Sequence, residues 1–223
     1  MGAAAHDGGD EARQLARALA DLKPQGGDVL SQSPRIAVSP RFLPPQVCDW
    51  LVRIARPRLR RAELVDGITG QVREDADRTN RAAEFSPDDA DVVLALVRSR
   101  IAAMAHVAVP ALDWSQVLHY EVGQQFRQHY DYFDVGVPAY AREVAKSGQR
   151  ALTVLIYLND DYEGGHTAFP RLGRAFKGAK GDALVFWNVQ ENGTPDERTL
   201  HAGTAPTKGE KWLFSQWIRV RAA

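Results

Sequence analysis

The chain has 223 residues, 44% of them hydrophobic, with Lys plus Arg and Asp plus Glu equal at 28 each. That length suits one domain with a substantial core. A formal charge of zero leaves no global field to draw the chain to nucleic acid or an anionic membrane, and no apolar run is long enough to span a bilayer.

In chain order, residues 1–32 are rich in Ala, Gly and Asp and read as a mobile leader or a short docking helix. Their one helical pattern runs from Glu11 to Leu22 and stops at Pro24 and Gly26-Gly27. No apolar signal core is present, and His6 occupies the position that myristoylation requires to be Ser or Thr, so a cytoplasmic location is expected. Residues 33–223 are expected to form the working domain. Pro44-Pro45 opens a helix through Ala55, with Val47, Trp50, Leu51 and Ile54 at helical spacing and Pro57 closing it. Cys48, the only cysteine, falls within that helix and excludes an internal disulfide. Arg53, Arg56, Arg58, Arg60 and Arg61 form the densest basic run, read as a solvated helix end; a homodimer or a docked partner stays open.

Ser86-Pro87-Asp88-Asp89 has the residues of a helix start and predicts a helix to about Ala105. Short β-rich runs follow at Gln116–Glu121, Gln128–Tyr132, Leu152–Leu158, Ala183–Trp187 and Lys211–Val220. Helices first and many short strands after them predict an α+β domain whose strands close into a jelly roll, a double-stranded β-helix supported by N-terminal helices. The segments Asp66–Asn80 and Gly136–Gln149 are long enough to act as lids. Asn192-Gly193-Thr194 reads as a plain turn rather than a glycosylation site.

His129-Tyr130-Asp131 places an imidazole and a carboxylate two residues apart, which on an extended strand puts both on one face. With a second imidazole from His201, the set becomes two His and one carboxylate, the facial arrangement that leaves one side of a ferrous ion open. Further on, the alternation in Lys211-Trp212-Leu213-Phe214-Ser215-Gln216-Trp217 puts Lys211 on an inner face with Leu213, Ser215 and Trp217. A lysine there is costly unless an anion meets it.

Several ordered motifs extend the pattern: Ser33-Pro34-Arg35-Ile36, Arg78-Thr79, the run from Gln116 to Tyr120, His129 to Phe133, Thr153 to Asn159, Gly164 to Thr167, Gly181 to Asn188, and His201 to Arg219. Together they resemble the prolyl 4-hydroxylase branch of the iron(II) and 2-oxoglutarate dependent dioxygenases, from about Ser33 to Arg219. The resemblance implies that His129, Asp131 and His201 bind Fe(II) and that Lys211 meets the distal carboxylate of 2-oxoglutarate, helped by the hydroxyls of Tyr120 and Thr167. It also implies dioxygen as cosubstrate, with ascorbate open as a reductant. Arg150, Trp217, Arg78 and Phe126 are carried over as substrate-side positions.

Three departures bear on specificity. Phe126 stands where the family usually has a tyrosine, His166 where it commonly has Glu, and Arg78-Thr79-Asn80-Arg81 carries more charge than the family's version. The extra charge points to a polar or acidic substrate segment. The implied activity is hydroxylation of proline in a peptide or protein, with decarboxylation of 2-oxoglutarate to succinate. The same chemistry on another residue or a small metabolite is the first alternative, and a non-catalytic binding module on the same fold is the second.

Overall fold

The structure, a computed structural model, describes residues 27–65, 72–74 and 76–220. The helix expected over Glu11–Leu22 lies outside the described residues. The strands of the two main sheets are β1 (Asp28–Gln32), β2 (Arg35–Ser39), β3 (Arg60–Arg61), β4 (Arg81–Phe85), β5 (Ser115–Tyr120) and β6 (Phe126–His129). After these come β7 (Gln149–Tyr157), β8 (Thr167–Phe169), β9 (Arg174–Phe176), β10 (Ala183–Trp187), β11 (His201–Gly203) and β12 (Lys211–Val220). The large sheet has the order β1-β2-β10-β7-β12-β5-β4-β3 and the small one β9-β8-β11-β6, with antiparallel pairing throughout. The two sheets form the double-stranded β-helix expected from the strand pattern. The leader boundary moves, however. Asp28–Gln32, read as part of the leader, pairs with β2 as the edge of the large sheet.

Helices α1 (Pro45–Ala55) and α2 (Val92–Met104) cover the outer face of the large sheet. Pro45 suits the first helical position because its missing N–H would have had no partner there. The helix then buries Cys48, Leu51 and Ala55. The expected helix from Ser86 is two pieces. Asp89 accepts from both the backbone N–H and the hydroxyl of Ser86, closing a single 3₁₀ turn over Pro87–Asp89. The chain extends at Ala90, and Asp91 caps α2 by accepting from Leu94 N–H at 2.8 Å. Leu94, Val97, Ile101 and Ala102 then pack into one core with Leu51, Val117, Val154, Val185 and Phe214. A third helix, α3 (Pro138–Ser147), lies within the segment read as a lid loop and ends at Gly148, whose φ of 85° suits glycine. No described helix is long and apolar enough to cross a membrane.

Strand β12 shows how the sheet divides its labour. Trp212, Phe214 and Ile218 join the helix-side core, whereas Leu213 belongs to a second cluster with Leu118, Tyr120, Leu155, Tyr157, Phe169, Leu184 and Phe186. The period of two therefore sends alternate residues to opposite sides of the sheet. Burial of a side chain such as Phe214 contributes roughly 1.5–3 kcal/mol, and the second cluster encloses the interior where the polar residues gather.

Candidate metal and cosubstrate site

His129 ends β6 and faces His201, the first residue of β11, across the small sheet. Asp131 is not on the strand expected over Gln128–Tyr132, because β6 stops at His129 and the carboxylate comes from the bend beyond it. Tyr130 turns to Tyr132, with ring centroids 4.7 Å apart. Asp131 Oδ1 lies 3.5 Å from His129 Nε2 and Oδ2 lies 3.5 Å from His201 Nε2, and the donor atoms of all three residues fall within 4.8 Å of one another.

The hydrogen bonds around the imidazoles select their tautomers. His129 Nδ1 lies 2.8 Å from the Arg127 carbonyl and His201 Nδ1 lies 2.9 Å from that of Thr199. A carbonyl only accepts, so Nδ1 carries the proton and each Nε2 offers a lone pair to the common centre. Burial, with the neighbouring His129, lowers His201 to about 4, which keeps its imidazole neutral near pH 7. Burial alone would raise the Asp131 carboxyl; His201 and His129 beside it, with the hydrogen bond from Thr153, hold it well below the usual carboxylate range. Two imidazoles and one ionised carboxylate are the donor set that a ferrous ion takes with open positions left over.

Thr153 and Asn188 are residues that sequence reasoning missed here. The Thr153 hydroxyl donates to Asp131 Oδ2 at 2.7 Å, and Asn188 Nδ2 donates to Thr153 Oγ1 at 2.9 Å. This chain from β7 and the end of β10 occupies one carboxylate oxygen and leaves Oδ1 for a metal. Both residues sit inside the quoted motifs, but nothing in the linear sequence shows that they meet Asp131.

Lys211 opens β12 in register with Tyr120 of β5. It is fully buried, and its Nζ has no hydrogen-bond partner among the described residues. The ammonium lies 5.0 Å from the Tyr120 ring centroid, and burial lowers it to about 7. A buried cation with no hydrogen-bond partner among the described residues, next to the Tyr120 ring that lines the triad's pocket, suits an anionic ligand. Gly165 makes room for it: with φ +62, a Cβ there would stand 3.3 Å from Lys211 Cδ and 2.8 Å from the Tyr162 ring. Tyr120, Thr167, His201, Gly203, Leu213 and Ser215 line the same inner pocket as His129 and Asp131. The Thr167 hydroxyl lies 2.8 Å from that of Tyr157, another residue to which sequence reasoning gave no role.

The inner pocket opens into a cleft of about 670 Å³. Phe126 stacks flat on His129, with centroids 3.5 Å apart and 12° between planes, and Arg78 lies 4.7 Å above the Phe126 ring. Thr79 latches this loop to the start of β6 by exchanging hydrogen bonds of 2.9 Å with Gln125. Arg78 donates to the Glu63 carbonyl and to Gln116. The added charge of Arg81, an exposed residue that does not line the cleft, instead points to the Leu59 carbonyl. Arg150 is layered on Trp217 at 3.6 Å and paired with Asp113 at 3.0 Å. Arg219 shares that Asp113 oxygen and reaches Glu143 of α3 at 3.1 Å. All four expected substrate-side residues thus line the cleft, whereas Asp113, Glu143 and Arg219 were not foreseen. His166, partly exposed, offers its carbonyl to Thr204.

Residues 115–219 match the 2OG-Fe(II) oxygenase superfamily, a span that takes in His129, Asp131, His201 and Lys211. The chain is 35% identical to prolyl 4-hydroxylase 1 of Arabidopsis thaliana over 96% of its own length and 77% of that protein's. Identity with probable prolyl 4-hydroxylase 10 of the same plant is 34%, covering 86% of this chain and 71% of the relative. Among solved structures, a viral collagen prolyl hydroxylase from Paramecium Bursaria Chlorella virus-1, in complex with 2OG, superposes with a TM-score of 0.63 at 25% identity. That match covers 83% of this chain and 96% of the viral one. A prolyl hydroxylase of Trichoplax adhaerens, in complex with a hypoxia inducible factor peptide fragment, shares the fold at TM-score 0.60 and 15% identity, over 93% and 90% of the two chains. Fold, donor set and superfamily match define an iron(II) and 2-oxoglutarate dependent oxygenase. Within that class, the chain belongs to the prolyl 4-hydroxylase family.

Proposed function

We propose that this enzyme hydroxylates proline in an extended peptide or protein segment laid along the 670 Å³ cleft. The observation that carries the reading is the wall of that cleft. Phe126, Tyr130, Tyr132, Phe133, Tyr140 and Trp217 line it together with His129 and Asp131. Grooves walled by aromatic rings suit proline-rich segments, whose preformed extended helix costs little entropy to bind. The named prolyl 4-hydroxylases among the relatives support the same substrate class.

In this reading His129, Asp131 and His201 hold the iron, and Lys211, with Tyr120 and Thr167 beside it, holds the distal carboxylate of 2-oxoglutarate. When bound, iron and 2-oxoglutarate together supply the oxidising power that splits dioxygen, converting the oxo acid to succinate and placing one oxygen atom on a C–H bond. The protein's own part is geometric. Thr153 and Asn188 fix the Asp131 carboxylate, while the carbonyls of Arg127 and Thr199 fix both imidazoles. Phe126 covers one face of His129 and excludes water from it. Arg150, held between Trp217 and Asp113, presents a rigid cation to a passing main-chain carbonyl.

Anaerobic reconstitution with Fe(II) and 2-oxoglutarate, then exposure to air with a panel of proline-rich peptides, tests the reading. The expected outcome is succinate release matched by a mass gain of one oxygen on proline, both lost in His129→Ala. Succinate without proline modification would move the substrate to another residue or a small metabolite. No succinate under any condition would favour a non-catalytic module.

A further inference from the structure

Strand β7 ends at Tyr157, and with it ends the ladder that holds β12 from this side; the last paired residues are Tyr157 and Leu213. Leu158 N–H still reaches the Trp212 carbonyl at 3.0 Å. One residue on, a side chain takes over the strand's task. Asn159 Nδ2 donates to the Glu210 carbonyl at 2.8 Å, and Asn159 Oδ1 accepts from Trp212 N–H at 2.8 Å. These are the main-chain groups immediately before and after Lys211. The amide is oriented in turn by Asp161 Oδ1, which accepts from Nδ2 at 2.6 Å.

On the opposite edge Lys211 is held by the β5 ladder, in register with Tyr120. Two residues before it Gly209 turns the chain at φ +74, and the Lys211 ammonium makes no hydrogen bond among the described residues. We propose that Asn159 is a positioning residue for 2-oxoglutarate: by pinning the backbone on both flanks of Lys211, it sets where the ammonium meets the distal carboxylate. The inference rests on the reading of Lys211 as that anchor. The Glu210 side chain is held separately by His119 at 2.7 Å and Arg56 at 2.9 Å, so removing the Asn159 amide loosens Lys211 while the turn before the strand stays anchored.

The test is calorimetric titration of the full chain, loaded with Fe(II) under argon, with 2-oxoglutarate and with 2-oxobutyrate. The second ligand has the same chelating end and no distal carboxylate. Asn159→Ala is expected to weaken 2-oxoglutarate by roughly tenfold while leaving 2-oxobutyrate within about twofold of the parent. Lys211→Ala, the control, loses at least about thirtyfold on 2-oxoglutarate alone. Equal weakening of both ligands in Asn159→Ala, or none in either, overturns the proposal. If Lys211→Ala discriminates and Asn159→Ala does not, Asn159 alone is misassigned. If Lys211→Ala treats both ligands alike, the anchor itself is wrong and the inference falls with it. Thermal melts establish that each variant folds. Should Asn159→Ala not fold, Asn159→Asp, which keeps the acceptor for Trp212 and loses the donor to Glu210, is read by the same criterion.

Discussion

The two faces of the large sheet come from the same strands and are almost equally buried, yet they carry opposite kinds of residue. On the helix side, Phe214, Ile218, Val154, Val185 and Val117 pack against α1 and α2. That side's polar cluster, Arg98 with Ser115 and Gln216, is hydrogen-bonded internally. On the cavity side the strands carry Lys211 with an unpartnered ammonium, Tyr120, Thr153 and Tyr157 around the buried Asp131 and His201. The contrast teaches that stability is gathered on one face so that the other can keep a lysine and a carboxylate in the dry interior, each costly without a ligand.

The comparison breaks most severely at the triad. Asp131→Ala is expected to lower turnover by about a thousandfold or more, since the metal's contribution goes with it, while the protein still melts cooperatively; iron content and succinate release measure the two effects. Phe214→Ala should do the reverse. Truncating a fully buried phenylalanine costs about 3–5 kcal/mol of stability, read by denaturant unfolding, while 2-oxoglutarate affinity of the folded fraction stays within about twofold. If Phe214→Ala changed ligand affinity strongly at unchanged stability, the division between faces would be wrong.

A smaller effect lies one bond from the metal. Thr153→Val keeps the shape and removes the donor to Asp131, and should weaken metal binding by about 10–100-fold, measurable by competition with a chelator. The smallest effect is one of pH. Burial lowers Lys211 to about 7, so between that value and the ordinary lysine range the unfolded chain binds more protons than the folded one. The free enzyme should therefore gain stability as pH rises through that window. The distal carboxylate needs the ammonium, so 2-oxoglutarate affinity should fall by up to about tenfold per pH unit above neutrality. Calorimetry in buffers of different ionisation enthalpy should show proton uptake on binding, and Lys211→Ala should abolish it.

What could be read in the sequence was whatever rests on local pattern. The alternation from Lys211 to Trp217 located a buried lysine, because a period of two assigns faces wherever one side is apolar. The helix from Pro45 to Ala55 followed from its spacing and its flanking prolines. The extent of the other helices was harder, since Ser86 and Asp91 both have the chemistry of a cap and only packing decides which one starts the long helix. Helix α3 was hidden in a largely polar segment, and no residue of it is buried.

The sequence by itself pointed to the strand-rich class, the helix–sheet order, the His129-x-Asp131 pair and the inward-facing lysine, because each follows from residue type and short-range spacing, while His201 joined the set through the ordered motifs that resemble the family. Tertiary structure alone decided how those groups are held. Thr153 is 22 residues from Asp131, Asn188 35 from Thr153, and Glu210, whose carbonyl Asn159 holds beside Lys211, 51 from Asn159. A hydrogen bond depends on a separation of about 3 Å in space, and no periodicity in the chain encodes which distant residues the folded sheets will bring that close.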